Sequence, residues 1–192
     1  MSTPAAIETQ QSTTQSMPSP WQNLLLDVRR SIRYHNHRRR WFDGLNSTSK
    51  FLIIISGGTV LAFPDPSQKM GIAARVFWVI SAFLGSLDLV TGFSAKGREH
   101  YDLAREFTQL EQEMVKVGEG ASTDDYAHLY NRRLEIEAKE PPVKRVLDIY
   151  CHNELALSIG CEKTELYDIG FFKQLLCDIV DISPEKIQKF KK

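Results

Sequence analysis

The sequence predicts an all-α membrane protein: a two-helix transmembrane hairpin, with an N-terminal amphipathic helix before it and a cytoplasmic helical bundle after it. Three observations predict this class. Two apolar stretches, Phe51 to Phe63 and Ile72 to Phe93, lie close together in the chain. Apolar residues elsewhere recur at spacings of three and four, as on one face of a helix. No segment of any length alternates apolar with polar residues as a half-buried strand does, and no internal repeat is present.

At 192 residues the chain suits one structural unit. Its 24 Lys and Arg balance 24 Asp and Glu, so no net charge draws it to nucleic acid, and any electrostatic signal is local. Cys151, Cys161 and Cys177 are odd in number and form no CxxC pair, which points to reduced thiols facing the cytosol rather than to a zinc ribbon. Residues 1–18, rich in Ser, Thr, Gln and Pro, lack the basic start and apolar middle of a secretory signal and read as a disordered tail.

Ser19 and Pro20 mark a helix start, a hydroxyl cap followed by a proline that gives up no hydrogen bond. Trp21, Leu24, Leu25, Val28 and Ile32 recur at helical spacing, and the pattern runs through Arg-rich sequence to Trp41 and Phe42 before Gly44. An amphipathic helix is therefore expected over 19–43. The first span follows over 45–63. Only Phe51 to Phe63, thirteen residues, is wholly uncharged and apolar, so this span borrows Leu45 to Ser49 at the interface while Lys50 snorkels outward.

After the turn-rich Pro64 to Gly71, the second span occupies 72–93, twenty-two residues. That length corresponds to about 33 Å of helix, which matches a bilayer core. Arg75 and Asp88 would each cost about 2.5–3.5 kcal/mol at mid-bilayer, and each large aliphatic or Phe returns about 0.3–0.6. Neither charge is central, and eleven Ile, Leu, Val and Phe residues offset what remains. Arg29, Arg30, Arg33, Arg38, Arg39, Arg40 and Lys50 precede the first span, Lys96, Arg98 and Arg105 follow the second, and the turn holds only Lys69. By the positive-inside rule both termini face the cytoplasm.

The cytoplasmic remainder runs over 95–180. Leu103, Phe107, Leu110, Met114 and Val117 form a four-three seam that ends at the Gly118 to Gly120 break. A helix opens at Ser122 with Asp125 in capping-box position and stops at Pro141 and Pro142. The next starts at the prolines and carries Val143, Val146, Leu147, Tyr150 and Leu157. A last apolar segment holds Phe171, Phe172, Leu175, Leu176, Ile179 and Val180, and residues 181–192 form a basic tail.

SIRYHNHRRRWF (Ser31 to Phe42), the two-span hairpin, YDLAREFTQLEQE (Tyr101 to Glu113), RRLEIEAKEPP (Arg132 to Pro142) and YCHNEL (Tyr150 to Leu155) together resemble the SLATT family, the SMODS- and SLOG-associating two-transmembrane effector domains. The resemblance spans Trp21 to about Leu176 and rests on Arg33, Tyr34 and His35 before the hairpin and Glu137, Glu140, Pro141, Asn153 and Glu154 after it. It implies a bacterial inner-membrane effector, not an enzyme, that oligomerises with itself in the lipid bilayer. Such an effector forms a pore or permeabilises the membrane in an anti-phage or conflict system when a nucleotide-synthesising or nucleotide-sensing protein signals. No cofactor and no nucleic-acid partner is expected. The alternative is a membrane-tethered sensor or scaffold that binds a nucleotide or partner protein without conducting.

Asp88 stands out because Ala74, Trp78, Ser81, Gly85, Asp88 and Gly92 share one helical face of mostly small and polar residues. Such a stripe either lines a water-filled path between copies or packs the spans, with Asp88 at the interface or bonded to Ser56 or Thr59. Ser56, Gly57, Gly58 and Thr59 read as a packing notch or a gate. The basic run Arg29, Arg30, Arg33, Arg38, Arg39 and Arg40 sets topology and contacts anionic lipid, with phosphate binding as its other use. Asp125 with His128, Glu137 with Glu140, and His152 near Glu154 do not repeat the Glu-x-x-His pattern of helical carboxylate sites, so no metal is expected.

Overall fold

A computed structural model of the chain describes residues 19–62, 71–179 and 187–189. Among these it is all-α, with six α-helices, one 3-10 turn at Lys163–Glu165 and no strand beyond an isolated antiparallel bridge between Tyr167 and Lys189. The tail over 1–18 lies outside the described residues, as does most of 181–192.

The first helix, α1, runs unbroken over Pro20–Ala62. Ser19 and Gln22 cap it reciprocally: the Gln22 amide donates to Ser19 Oγ at 3.1 Å and the Ser19 amide donates to Gln22 Oε1 at 3.2 Å. The expected stop before Gly44 does not occur, and the amphipathic segment and the first apolar segment are one helix. A helical glycine costs only about 1 kcal/mol. Packing on both sides of Gly44 outweighs that: Ser49 is buried above it, and Tyr34, His35 and Arg38 are buried below.

Helix α2, Ile72–Thr91, is apolar and long enough to cross a membrane, the one such helix among the described residues. It ends two residues before the expected Phe93. Gly92 takes the left-handed conformation (φ 63°, ψ 61°), its amide closing on the Asp88 carbonyl at 2.8 Å, and α3 starts at once as Phe93–Val117. A side chain would be strained there, so glycine lets the chain turn without a loop.

Helices α2 and α3 run back along α1 in antiparallel register. Gly85 lies against Ile53, Ser49 bonds Asp88, Gly97 lies against Phe42 and Asp43, Arg39 covers Tyr101, Arg29 bonds Glu111 and Gln22 bonds Glu119. The single helix α1 thus serves both the apolar hairpin and the charged bundle.

In the bundle, Trp21, Leu24 and Val28 of α1 and the α3 seam residues Leu103, Phe107, Leu110 and Met114 form a core. Leu129 and Ile136 of α4, Thr123–Glu137, close it. Val117, expected in the seam, is the last helical residue and is exposed. The Ser122 and Asp125 capping box forms in both directions. Helix α4 ends at Glu137 rather than at the prolines, because Glu140 turns inward to His35 and the residue before a proline avoids helical geometry. Helix α5 accordingly begins later than expected, over Arg145–Ser158. With the short α6, Phe171–Leu176, it surrounds a second core of Tyr34, Val146, Leu147, Cys151, Ile169 and Cys177.

Candidate functional site

Two places concentrate polar chemistry. The first is the face between α1 and α2. The predicted small-residue stripe is turned toward α1 of the same chain: Ser81 is buried with Oγ donating to the Phe77 carbonyl at 2.8 Å, and a Cβ on Gly85 would come within 3.3 Å of Ile53 Cδ1. These residues pack the hairpin. Asp88 is held at the junction of α2 and α3 and to Ser49 of α1. Its Oδ1 accepts from the Phe93 amide at 3.0 Å, capping α3 across Gly92, and its Oδ2 accepts from Ser49 Oγ at 3.4 Å. Ser56 Oγ donates back to the Leu52 carbonyl at 2.8 Å, and among the described residues Cβ atoms on Gly57 and Gly58 would meet nothing within 4 Å. The Thr59 side chain lies outside the described residues. Away from the stripe the hairpin is bare: Leu89 is 89%, Val90 84%, Ile72 81% and Ile54 72% exposed.

The second place is a buried imidazole pair at the base of that hairpin. His35 Nδ1 lies 3.0 Å from His100 Nδ1, and His35 Nε2 lies 3.1 Å from Glu140 Oε1. Both rings are almost wholly buried, His35 stacked on Phe107 and His100 on Phe42, with the Arg38 guanidinium also over the Phe42 ring. Burial first, then the neighbouring His35, Arg38 and Lys96, push the His100 imidazolium down to about 3. At neutral pH His100 is therefore uncharged. Next to it Tyr34 accepts from the Lys144 amide at 2.9 Å, tying α1 to the start of α5, and burial raises its phenol above the ordinary range.

This cluster gathers Tyr34, His35 and Glu140, three of the residues that carry the family resemblance, but not the rest. Arg33 donates to Ser158 Oγ at 2.9 Å, and Glu137 pairs with Arg133 at 2.7 Å. Pro141 lies in the α4 to α5 connection. Asn153 bonds the Tyr167 backbone both ways, donating at 2.7 Å and accepting at 3.0 Å. Glu154 stands 3.9 Å from His37. Sequence reasoning missed His100, although it lies three residues before Leu103 and so on the inward face of α3.

The basic run is mostly used internally. Arg29 pairs with Glu111, Arg30 with Asp27 and Asp148, and Arg39 with Asp43, while Arg38 donates to the Asp178 carbonyl at 2.7 Å. Of the six, Arg40 is the exposed one. The long polar face of α1 meets acidic residues of α3 and α5, a neutralisation that local sequence does not announce. Desolvation raises the Cys151 thiol far above its ordinary range, which leaves it inert. Among the described residues no three His, Cys, Asp or Glu side chains converge to hold a metal.

No protein-family model, curated protein or solved structure matches the chain.

Proposed function

We propose that the protein is a two-span membrane effector with both termini on the cytoplasmic side, whose copies assemble and permeabilise the membrane when a separate nucleotide-synthesising or nucleotide-sensing protein signals. The resemblance to the SLATT family supplies the effector role and the trigger. One structural observation supports the membrane part: α2 is twenty residues long, apolar, and almost unburied within the chain. Water does not tolerate that much contiguous bare hydrocarbon on a monomer, whereas lipid requires it. The upper half of α1 is α2's packing partner and shares the exposed apolar surface through Phe51, Ile53 and Ile54.

Because the small-residue face is occupied by α1, permeation requires that α1 and α2 part or slide, so that Ser81, Gly85 and Asp88 change neighbours. The bundle is the handle for this movement, since α1 passes through both parts. Purified protein reconstituted in vesicles with a potential-sensitive dye tests the reading: activation collapses the potential. An oligomeric, membrane-inserted protein that is active in cells yet leaves the dye signal flat overturns it.

The non-conducting scaffold has one observation in its favour, namely that the outer face of α2, with Val76, Val79, Ile80 and Phe83, is mostly apolar, and the hydroxyl of exposed Ser86 beside it is spent on the Ala82 carbonyl. Ser81→Ala with Asp88→Asn, which keeps an acceptor for the Phe93 amide, separates the two. A scaffold keeps its cellular activity, and an effector loses it.

A further inference from the structure

A groove between α1 and α3 has the lining of a ligand site. It has a volume of about 330 Å³, and its polar walls are Asn36 and Arg39 of α1 and Tyr101, Arg105, Gln109 and Gln112 of α3. All six come from two of the segments that stand out in the sequence, Ser31 to Phe42 and Tyr101 to Glu113.

The charge of the lining is one-sided. The chain as a whole is neutral, yet the groove holds two guanidiniums and no carboxylate. Arg39 lies over the Tyr101 ring, 4.6 Å from its centroid. Its ion pair, to Asp43 at 3.4 Å, is half-exposed on both sides and one turn along α1, outside the groove, so it holds weakly. Arg105 follows Tyr101 by one turn of α3, is exposed, and has no ion-pair partner among the described residues. Lys96 and Arg98 of the same helix are each paired, with Glu99 and Asp102.

Hydrogen-bonding capacity gathers in the same place. Among the described residues the carboxamides of Asn36, Gln109 and Gln112 have no hydrogen-bond partner. Arg33 and Arg29, one and two turns back along α1, are by contrast engaged by Ser158 and Glu111. The antiparallel register sets Arg39 beside Tyr101 and Arg29 beside Glu111, which brings Asn36 level with Arg105 and leaves Gln109 and Gln112 further along. Guanidinium groups match phosphate oxygens, and a carboxamide presents a donor and an acceptor side by side, the pattern that pairs with the edge of a purine. The volume lies at the small end of the range for small-molecule sites, about 300–1,000 Å³.

We propose that this groove binds a nucleotide-sized organophosphate, with its phosphate between Arg39 and Arg105 beside Asn36 and its hydrogen-bonding remainder against Gln109 and Gln112. Because the two guanidiniums belong to different helices, the bound phosphate ties α1 to α3. The inference goes beyond the effector reading and does not depend on it, since neither α2 nor the apolar surface of the hairpin takes part.

Titration calorimetry of the full chain in nonionic micelles tests this, with adenosine monophosphate as the probe. Arg105→Gln weakens binding by about tenfold or more, the cost of one charged hydrogen bond. Arg105 decides the matter because it is exposed and unpaired, so its replacement removes no internal contact. Arg98→Gln, on an exposed guanidinium of α3 outside the groove, leaves the affinity unchanged. Inorganic phosphate and adenosine each bind more weakly than the monophosphate, since each satisfies one part of the groove; either one matching it overturns the proposal. No binding at millimolar monophosphate overturns it, as does an affinity that Arg105→Gln leaves unchanged or that Arg98→Gln lowers equally. Phosphatidylglycerol added to the micelles leaves the affinity unchanged, whereas displacement of the probe by it assigns the groove to lipid headgroups and overturns the soluble ligand.

Discussion

The Nδ1 atoms of His35 and His100 stand 3.0 Å apart in the bundle, and one proton must serve both. An imidazolium donates from both nitrogens, so two charged rings cannot keep this contact, and at least one ring stays neutral. His100 is the ring whose surroundings oppose charge most clearly, being buried and faced by His35, Arg38 and Lys96.

Stability should therefore fall as the solution is acidified. Above about pH 6.5 His100 is neutral in both the folded and unfolded chain; below it the unfolded chain binds a proton that the folded one refuses until about pH 3. The loss at pH 5 is about 2 kcal/mol. Denaturant midpoints of the detergent-solubilised protein at pH 7.5 and pH 5 measure it. His100→Phe removes most of the slope, and His152, also held below its ordinary range by burial, leaves a smaller one.

Glu140→Gln retains an oxygen that can accept from His35 Nε2 and should cost under about 1 kcal/mol, whereas Glu140→Ala strands a buried ring nitrogen at about 1–3 kcal/mol. Because Glu140 sits in the α4 to α5 connection, hydrogen exchange should rise in α5 for the alanine variant and not for the glutamine one. Equal losses in both variants would show that the carboxylate charge matters rather than the bond.

Gly85→Leu should pry the hairpin apart. A Cβ there already meets Ile53 Cδ1 at 3.3 Å, and further atoms overpack the contact at about 1–3 kcal/mol. Gly57→Ala and Gly58→Ala meet nothing within 4 Å and should be neutral or mildly stabilising. Unfolding in mixed micelles compares the three. If a parted hairpin is the permeable state, Gly85→Leu also leaks without a signal.

Asp88 and Gly92 act together at the α2 to α3 corner. Asp88→Ala removes the carboxylate that accepts from the Phe93 amide and should cost about 1–2 kcal/mol, while Asp88→Asn keeps an acceptor and costs less. Gly92→Ala forces a side chain into positive φ at about 1–2 kcal/mol. Circular dichroism melting in detergent reads both. A leak that is lost in Asp88→Ala and retained in Asp88→Asn assigns the residue to the corner rather than to ion passage.

What the sequence disclosed was local. The Ser122 and Asp125 box, the stop at Gly118 and the seam through Phe107 depend on neighbours within a turn or two, and all were legible. The continuation of α1 through Gly44 was not, because a glycine at ordinary helical angles is a small penalty that packing from α2 and α3 overrides. The small-residue stripe on α2 was readable as a stripe but not as the surface that meets Ile53 and Ser49. That assignment depends on the antiparallel register of α2 and α3 along α1, which contacts between residues far apart in the chain define. The His35 and His100 pair joins residues 65 positions apart, and nothing near either one announces the other.

Helix α1 works as a beam without a joint. Its 43 residues span about 65 Å at about 1.5 Å per residue. It contains no proline after its first residue and its glycines keep helical angles, so Ser56 to Gly58, near the apolar tip, is the one Gly/Ser site of the kind at which helices bend. A tilt of about 10° about a pivot near His35 would sweep the Ala62 tip by about 7 Å, since about 40 Å of helix lies beyond the pivot and transmits the angle. A torque on the charged end thus reaches the apolar end as displacement, with the imidazole pair sitting close to the fulcrum.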